Sequence, residues 1–592
     1  MKSFFKYLLV TVLGVLIASL IIFLIFIGII GAIISSSERE VSVKPNSILS
    51  IDLSKPIPDR SSESALENFD FINFKLNNLV GLNDILKCIK QAKTDPDIKG
   101  IYINPGYIQA GFGTLEEIRN ALLDFKTSKK FIISFANIYT NSSYYLASVA
   151  DSVFLYPQGE ISFIGLHSEI IFYKGLFEKL GIEPEVIRHG KYKSYAEQYT
   201  TDRMSDANRF QIKELISSLW NKILEGISNE RHISVKDLNN LADGLGVRNA
   251  KAALDNKLVD GLRYKDQINN CLTKLSGVSS EKKLEFVTLS KYNKVPKSKN
   301  KLPVNKIALV YASGDISMGN GDESHIGSEN FSHAISEARK DTSVKAIVLR
   351  INSPGGIALA SDIIWRELYL AKKAKPLIVS MGSVAASGGY YIAAPADIIV
   401  ADATTITGSI GVFAIVFNAK TFFNNKLGIT NDIVESNKHS DLGSLERGFN
   451  FRPLTGEEKG MIQGEIENTY NVFLARVSDG RKMSIAAVDS IGQGHVWSAL
   501  DAKKIGLVDV IGGLDTAFAI AAQKAHLKNY SIEELPKAED KITEFLNGFS
   551  SKLRQNIIKL ALGNNQELYP DVDKIIKQQG IQSRVPFDIN VY

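Results

Sequence analysis

The sequence predicts two tandem α/β domains behind a single N-terminal transmembrane helix. Three observations carry this expectation: an uncharged apolar stretch near the start, an alternation of strand-like and helix-like runs from Asn46 onward, and a recurrence of that alternation later in the chain. At 592 residues the chain is too long for one core, and its 45% hydrophobic and 22% charged residues are those of ordinary globular domains. A net charge of +5 is small for this length. No Lys/Arg cluster is interleaved with stacking aromatics, which argues against nucleic acid as a partner. Cys88 and Cys271 stand far apart without metal-ligand spacing, so neither a disulfide framework nor a zinc site is supported.

Tyr7 to Ile34 is 28 residues without a charge. As a helix it would span roughly 42 Å against a hydrocarbon core of about 30 Å, long enough to cross with tilt. A signal-peptide core is shorter, and no small-x-small cleavage site follows, so an uncleaved anchor is expected. Lys2 and Lys6 precede the segment whereas Glu38, Arg39 and Glu40 follow it, which places the N-terminus in the cytoplasm and the rest outside.

The recurrence is specific in its residues. Asn46-Ser-Ile-Leu-Ser-Ile-Asp52 matches Asn305-Lys-Ile-Ala-Leu-Val-Tyr311, and Lys99-Gly-Ile-Tyr-Ile103 matches Lys345-Ala-Ile-Val-Leu349. Tyr144-Tyr-Leu-Ala-Ser-Val-Ala-Asp151 matches Tyr390-Tyr-Ile-Ala-Ala-Pro-Ala-Asp397, Gly165 falls on Gly411, and Ala250–Asp260 matches Ala499–Asp509. The expected organisation is residues 1–40 as cytoplasmic stub and anchor, 41–290 as the first repeat, 291–303 as a Lys- and Pro-containing linker, 304–530 as the second repeat, and 531–592 as a helical extension ending in the polar tail Ser583–Tyr592. The glycine-rich stretch 317–328 reads as a mobile loop.

Chemistry concentrates in the second repeat. In Val379-Ser-Met-Gly-Ser-Val-Ala-Ala-Ser387-Gly-Gly-Tyr-Tyr391 a strand turns sharply into a helix with a serine at the turn, where backbone N–H groups can stabilise an anion. The bland alternative is a Gly/Ala contact between a helix and a strand. A second buried strand, Ile347-Val-Leu-Arg-Ile-Asn-Ser-Pro-Gly-Gly356, ends in glycines able to aim free N–H groups outward. A nucleophile on one strand end and oxyanion donors on its neighbour is the arrangement acyl transfer needs.

Comparing the repeats shows what each lacks. Ser387 falls on Asn141, and Asn352-Ser-Pro-Gly-Gly356 falls on the degraded Asn104-Pro-Gly-Tyr107. Conversely, Arg188-His-Gly-Lys-Tyr-Lys193-Ser194 falls on Glu435-Ser-Asn-Lys-His-Ser440-Asp441, so Lys193 lies opposite Ser440. One site shared between the halves is more economical than two. A serine nucleophile needs a base, and no Ser-His-Asp spacing suggests itself. His495, in Gly492-Gln-Gly-His-Val-Trp497, is one option. Lys193 is the other. An ordinary lysine, with pKa about 10.4, is neutral in only about one molecule in 2,500 at pH 7, so this base would have to be buried. The plain reading of Lys193 is a solvated basic run with Arg188 and Lys191.

At these residues the chain resembles the signal peptide peptidase A (protease IV) family in its long, two-repeat bacterial form: an N-terminal anchor, tandem domains, Tyr192-Lys193-Ser194, Asn-Ser-Pro-Gly-Gly356 and Ala-Ala-Ser387-Gly-Gly-Tyr. The family is similar in fold to the caseinolytic-protease and crotonase superfamily, with repeated ββα units. The resemblance implies Ser387 as nucleophile, Lys193 as general base, Gly356 and Gly388 as oxyanion donors, and Ser409 in Thr407-Gly-Ser-Ile-Gly411 as the residue orienting the lysine. It also implies a homotetramer with a dome-like chamber at the bacterial cytoplasmic membrane, hydrophobic signal-peptide fragments as substrates, and no cofactor or metal. Departures at Ser383 and Gly106-Tyr107 leave these residues untouched. A crotonase-like acyl-CoA enzyme and a catalytically inactive membrane scaffold are the competing expectations.

Overall fold

The computed structural model describes residues 42–61, 79–295, 303–321, 325–442, 449–537 and 581–585, the paired dipeptides Phe69–Asp70 and Lys75–Leu76, and scattered helical residues between 4 and 21. Residues 10–19 of the expected span are helical with exposed side chains, whereas residues 22–34 lie outside the described residues. Among the described residues no helix is long and apolar enough to cross a membrane. Most of the linker, 296–302, and residues 538–580 and 586–592 of the expected helical extension also lie outside them.

The fold is mixed α/β with two repeats. In the first, a parallel sheet runs in the order Gly261–Leu262, Ser152–Ile161, Phe131–Tyr139, Ile98–Asn104, Ser47–Asp52, Phe286–Thr288. The second repeats that order with Val510–Ile511, Ile398–Ala401, Leu377–Ala386, Val344–Ser353, Lys306–Ser313 and Ser531–Leu535. Helices cover both faces, so the central strands read as unbroken apolar runs; Ala346, Ile347, Val348, Leu349 and Ile351 are all fully buried. Ser531–Leu535, expected to be helical, is instead a strand, because its backbone extends parallel to Lys306–Ser313 and closes that edge. Part of the stretch 317–328, expected to be a mobile loop, is strand: His325–Gly327 pairs in parallel with Asp315–Ser317, and Ser328 opens the helix Ser328–Lys340.

A third sheet draws strands from both repeats. Glu183–His189 of the first runs antiparallel to Val412–Asn418 of the second, from His189 opposite Val412 to Glu183 opposite Asn418. On its far side it takes in Gly355–Ile357 and, from the chain's end, Gln582–Arg584. The polar tail is thus partly a strand, paired to backbone that nothing local in its sequence announces.

Buried charge also joins the repeats. Arg350, fully buried on Val344–Ser353, donates from Nε to Asp59 Oδ1 at 2.9 Å and from Nη1 to Ser380 Oγ at 3.0 Å. Its Nη2 lies 2.6 Å from Glu117 Oε1. Asp59 also accepts from Asn352 Nδ2 at 2.8 Å, so a first-repeat carboxylate holds the strand end that precedes the glycine turn. Burial, reinforced by the neighbouring Glu117, pushes the Asp402 carboxyl well above the usual carboxylate range. Asp59 and Glu117 are the two buried carboxylates that meet the Arg350 guanidinium.

Candidate active site

Parallel strands deliver their ends to one point, the crevice beyond their carboxyl termini where open α/β sheets place their sites. Leu377–Ala386 ends at Ser387, and its neighbour Val344–Ser353 ends at Pro354-Gly355-Gly356. Ser387 adopts φ 56° and ψ −116°, a sparsely populated conformation for a residue with a Cβ. The turn is held by Ser387 N–H donating to the Gly408 carbonyl at 2.8 Å and by the Ser387 carbonyl accepting from Tyr391 N–H at 2.8 Å. Gly388 and Gly356 face each other: a Cβ built on Gly388 would stand 3.1 Å from Gly356 N. Gly355, at φ 106°, is required where the turn meets Gly388, since a Cβ there would lie 2.7 Å from Gly388 N.

The lysine arrives along the shared ladder. Immediately after Glu183–His189, residues 190–193 turn inward, and Lys193 is fully buried beside the second repeat. Its Nζ lies 2.6 Å from Ser387 Oγ, 3.0 Å from Ser409 Oγ and 3.0 Å from the Ser409 carbonyl. Burial alone holds its pKa well below the ordinary lysine value, with no carboxylate among the described residues countering it. Ser409 takes φ 52°, and its N–H donates to the His495 carbonyl at 2.6 Å. Ser387, Lys193, Ser409, Gly356 and Gly388, the residues that the family resemblance implies for one site, lie together in the structure.

His495 is in the neighbourhood through its backbone, not its ring. The imidazole stacks on Trp497 with centroids 4.0 Å apart and meets Tyr192 edge-on at 4.4 Å. Nδ1 is buried without a hydrogen-bond partner among the described residues, and burial pushes the ring down to about 4. The ring is therefore neutral at pH 7 and engaged in packing.

Three supporting residues escaped the sequence reading. Gly494, at φ 79°, lies so close to Lys193 that a Cβ would run into its backbone nitrogen. Gly411 leaves room for the lysine stem, 3.2 Å from a Cβ placed there. Gln211 donates to the Tyr192 carbonyl at 3.0 Å and to Ser194 Oγ at 3.2 Å, and its Oε1 accepts from Val496 N–H at 3.2 Å, tying the lysine loop across the repeats. A signal existed for Gln211. Asn208 and Gln211 occupy the helical stripe continued by buried Leu215, Leu219 and Ile223, and polar groups on a buried stripe need a reason.

The counterpart positions behave differently. Asn141 opens the helix Asn141–Ala147 under a Thr140 cap and donates from Nδ2 to the Gly165 carbonyl at 2.8 Å, so the Ser387 equivalent is spent on structure. Ser440 is exposed, in a turn where its Oγ bonds the Asn437 carbonyl.

The family model for peptidase family S49 matches residues 124–279 and 370–528, one match in each repeat. Protease 4 of Salmonella typhi is 37% identical over 79% of this chain and 76% of its own. The chloroplastic serine protease SPPA of Arabidopsis thaliana is 33% identical over 87% of this chain and 76% of its own. A putative signal peptide peptidase SppA of Enterococcus faecium is 33% identical over 35% of this chain and 58% of its own.

Proposed function

The chain belongs to peptidase family S49 and is a serine protease, and from that premise we propose that Ser387 is its nucleophile, Lys193 its general base and cleaved signal peptides its substrates. The observation that carries the reading is a fully buried lysine amine 2.6 Å from the serine hydroxyl, without an acidic partner among the described residues. A neutral amine at that distance takes the Ser387 proton as Oγ attacks the peptide carbonyl. The Gly356 and Gly388 N–H groups receive the developing oxyanion, a contribution of about 10²–10³ in rate for one such donor. The lysine then protonates the leaving amine and deprotonates the water that releases the acyl group. Ser409 Oγ and the Ser409 carbonyl fix the amine's direction. In this reading the folds of both repeats are of the caseinolytic-protease and crotonase type.

An extended apolar peptide suits a cleft whose walls are strands, because main-chain pairing gives affinity without demanding particular side chains. The test compares wild type with Ser387→Ala on a purified apolar signal-peptide fragment and on a folded polar protein. Wild type should degrade the fragment and spare the folded protein, and Ser387→Ala should cut neither. Equal rates on both substrates would sink the signal-peptide reading.

We place the anchor at Tyr7–Ile34 and the protease outside the cytoplasmic membrane of a bacterium, on the lysine asymmetry at the N-terminus. A C-terminal reporter should then be active only on the outer side; activity in the cytoplasm would reverse the orientation. A ring of four copies is what the family resemblance implies, and the repeat suggests a contact that could build it. Within the chain, 183–189 pairs with 412–418. The equivalent segments, 430–436 and 166–172, form no ladder and expose Ile433, Val434 and Ile171, with Val434 99% exposed. Pairing 430–436 of one copy with 166–172 of the next would repeat the internal contact head to tail, the kind of contact that builds a ring where its rotation closes. Val434→Asp should shift the solution mass toward monomer; an unchanged mass would exclude this contact.

A further inference from the structure

The lysine turn is clamped from the second repeat by one short loop, residues 492–495. Gln493 takes φ 51°, in the left-handed region that a long side chain seldom adopts. Its carbonyl accepts from Tyr192 N–H at 2.8 Å, and a Cβ at Gly190 would stand 2.6 Å from that carbonyl's carbon. Gly494 N–H donates to the Ile410 carbonyl at 2.7 Å, and the His495 carbonyl receives Ser409 N–H. The loop therefore touches the turn bearing Lys193 on one side and the Ser409-Ile410 backbone on the other.

Tyr470, buried on the helix Gly456–Arg481, is what meets Gln493 there. Its hydroxyl donates to Asp489 Oδ1 at 2.7 Å and accepts from Gln493 N–H at 3.1 Å and Gln493 Nε2 at 3.4 Å. Its ring stacks on His189, the last residue of the strand before the lysine turn, with centroids 4.0 Å apart. His189 Nδ1 lies 2.8 Å from Glu467 Oε2, so Asp489, Glu467 and His189 are the titratable groups around this tyrosine among the described residues. The first repeat shows what is particular here. Asp206–Arg231 and Gly456–Arg481, each 26 residues, place Trp220 opposite Tyr470, and the N-caps Ser234 and Ser484 place Asn239 opposite Asp489. The side-chain bond is kept, with Trp220 Nε1 donating to Asn239 Oδ1 at 3.0 Å. An indole N–H can only donate, whereas a phenol hydroxyl donates and accepts at once. The half whose loop clamps the lysine turn has the side chain able to do both. We propose that Tyr470 is the positioning residue of the base: through Gln493 its hydroxyl holds the loop that seats the Lys193 turn against Ser409. The inference rests on the reading of Lys193 as general base given above.

The consequence follows from how the lysine is kept neutral. Burial is what lowers its proton affinity, so whatever holds its cover in place sets the pH at which it can act. Gly494 packs against the lysine backbone and Gly411 against its stem. Without the Tyr470 hydroxyl, Gln493 N–H loses its acceptor, and the left-handed turn loses the bond that offsets its cost. The loop then relaxes, water reaches the amine, and the ammonium form gains solvation. A higher pH is then needed to neutralise the amine. The change acts on the base and not on the oxyanion turn, so the loss falls on kcat rather than KM.

The test measures kcat and KM against pH on an apolar signal-peptide fragment for wild type, Tyr470→Phe, Asp489→Ala and Val477→Ala, with the urea midpoint of each. Tyr470→Phe keeps the ring and its stack on His189 and removes only the hydroxyl. Its acidic limb of kcat/KM should move up by about one pH unit, a loss of about tenfold below the limb that is recovered above it. Asp489→Ala strips the hydroxyl of its acceptor and should move the limb the same way, which keeps the network testable if the tyrosine variant unfolds. Val477→Ala, a truncation in the core on the same helix, should lower the urea midpoint without moving the limb. A wild-type limb that stays in place in Tyr470→Phe and Asp489→Ala would overturn the inference and leave the protease reading standing. So would a loss equal at every pH, a change confined to KM, or a limb moved as far by Val477→Ala. Wild type that cuts the fragment with no acidic limb at all would overturn the lysine reading itself, and the inference with it.

Discussion

Lys193→Ala should abolish peptide hydrolysis as completely as Ser387→Ala, each by about 10⁴–10⁶ in kcat, and the double variant should be no worse than either, because members of one catalytic unit are strongly non-additive. Lys193→Arg should also be inactive, since a guanidinium stays protonated and cannot accept the serine's proton. Neither half expressed alone should cut peptides. The pH dependence has a definite sign. A lysine base works only when neutral, so with Lys193 in the proposed role kcat/KM should rise with pH through the lowered lysine pKa and then level. The same group affects stability. Between that lowered value and about 10.4 the unfolded chain holds a proton that the folded chain does not, so folding weakens as pH falls across this window and Lys193→Met should flatten the slope. An isolated second half with full activity, or a flat pH profile with Lys193→Ala still active, would defeat the shared-site reading.

Arg350→Ala should cost about 3–5 kcal/mol, the range for removing one partner from a buried ion cluster, because Asp59 and Glu117 remain buried without their counter-charge. Against a typical stability of about 5–15 kcal/mol this is a large fraction, and the urea midpoint should fall accordingly. Activity should suffer as well, since the cluster holds the strand that ends in the Gly355-Gly356 turn. Replacing Asp59 and Glu117 by their amides in the Arg350→Ala background should recover part of the loss by removing the stranded charges. Full stability in Arg350→Ala alone would show that the cluster does not join the repeats.

The parallel sheets and the two strand-end turns were legible because each is written locally, in apolar runs that stop at Gly and Ser. The meeting of Lys193 with Ser387 was legible only through the repeat, which showed each half keeping what the other had replaced. What escaped is held by pairings between residues far apart in sequence. Asp59 reaches Arg350 and Gln211 reaches Val496 with no local pattern to announce either. Ser583 sits in a polar tail whose composition suggests solvent, and only backbone pairing with a glycine strand brings it inside. His495 was legible as a histidine near the site, but a ring packed between Tyr192 and Trp497 cannot be told from a base by spacing alone.

The ladder between Glu183–His189 and Val412–Asn418 makes the proposed reactive centre a junction between two bodies that happen to share a chain. Were they separate polypeptides, dilution would pull lysine and serine apart. Covalent linkage sets their effective concentration in the millimolar range whatever the abundance of the protein, so one molecule carries a complete centre. Contacts between copies have no such protection. A ring built on them would loosen on dilution while every released copy kept its chemistry, leaving free proteases without the enclosure that restricts what they meet.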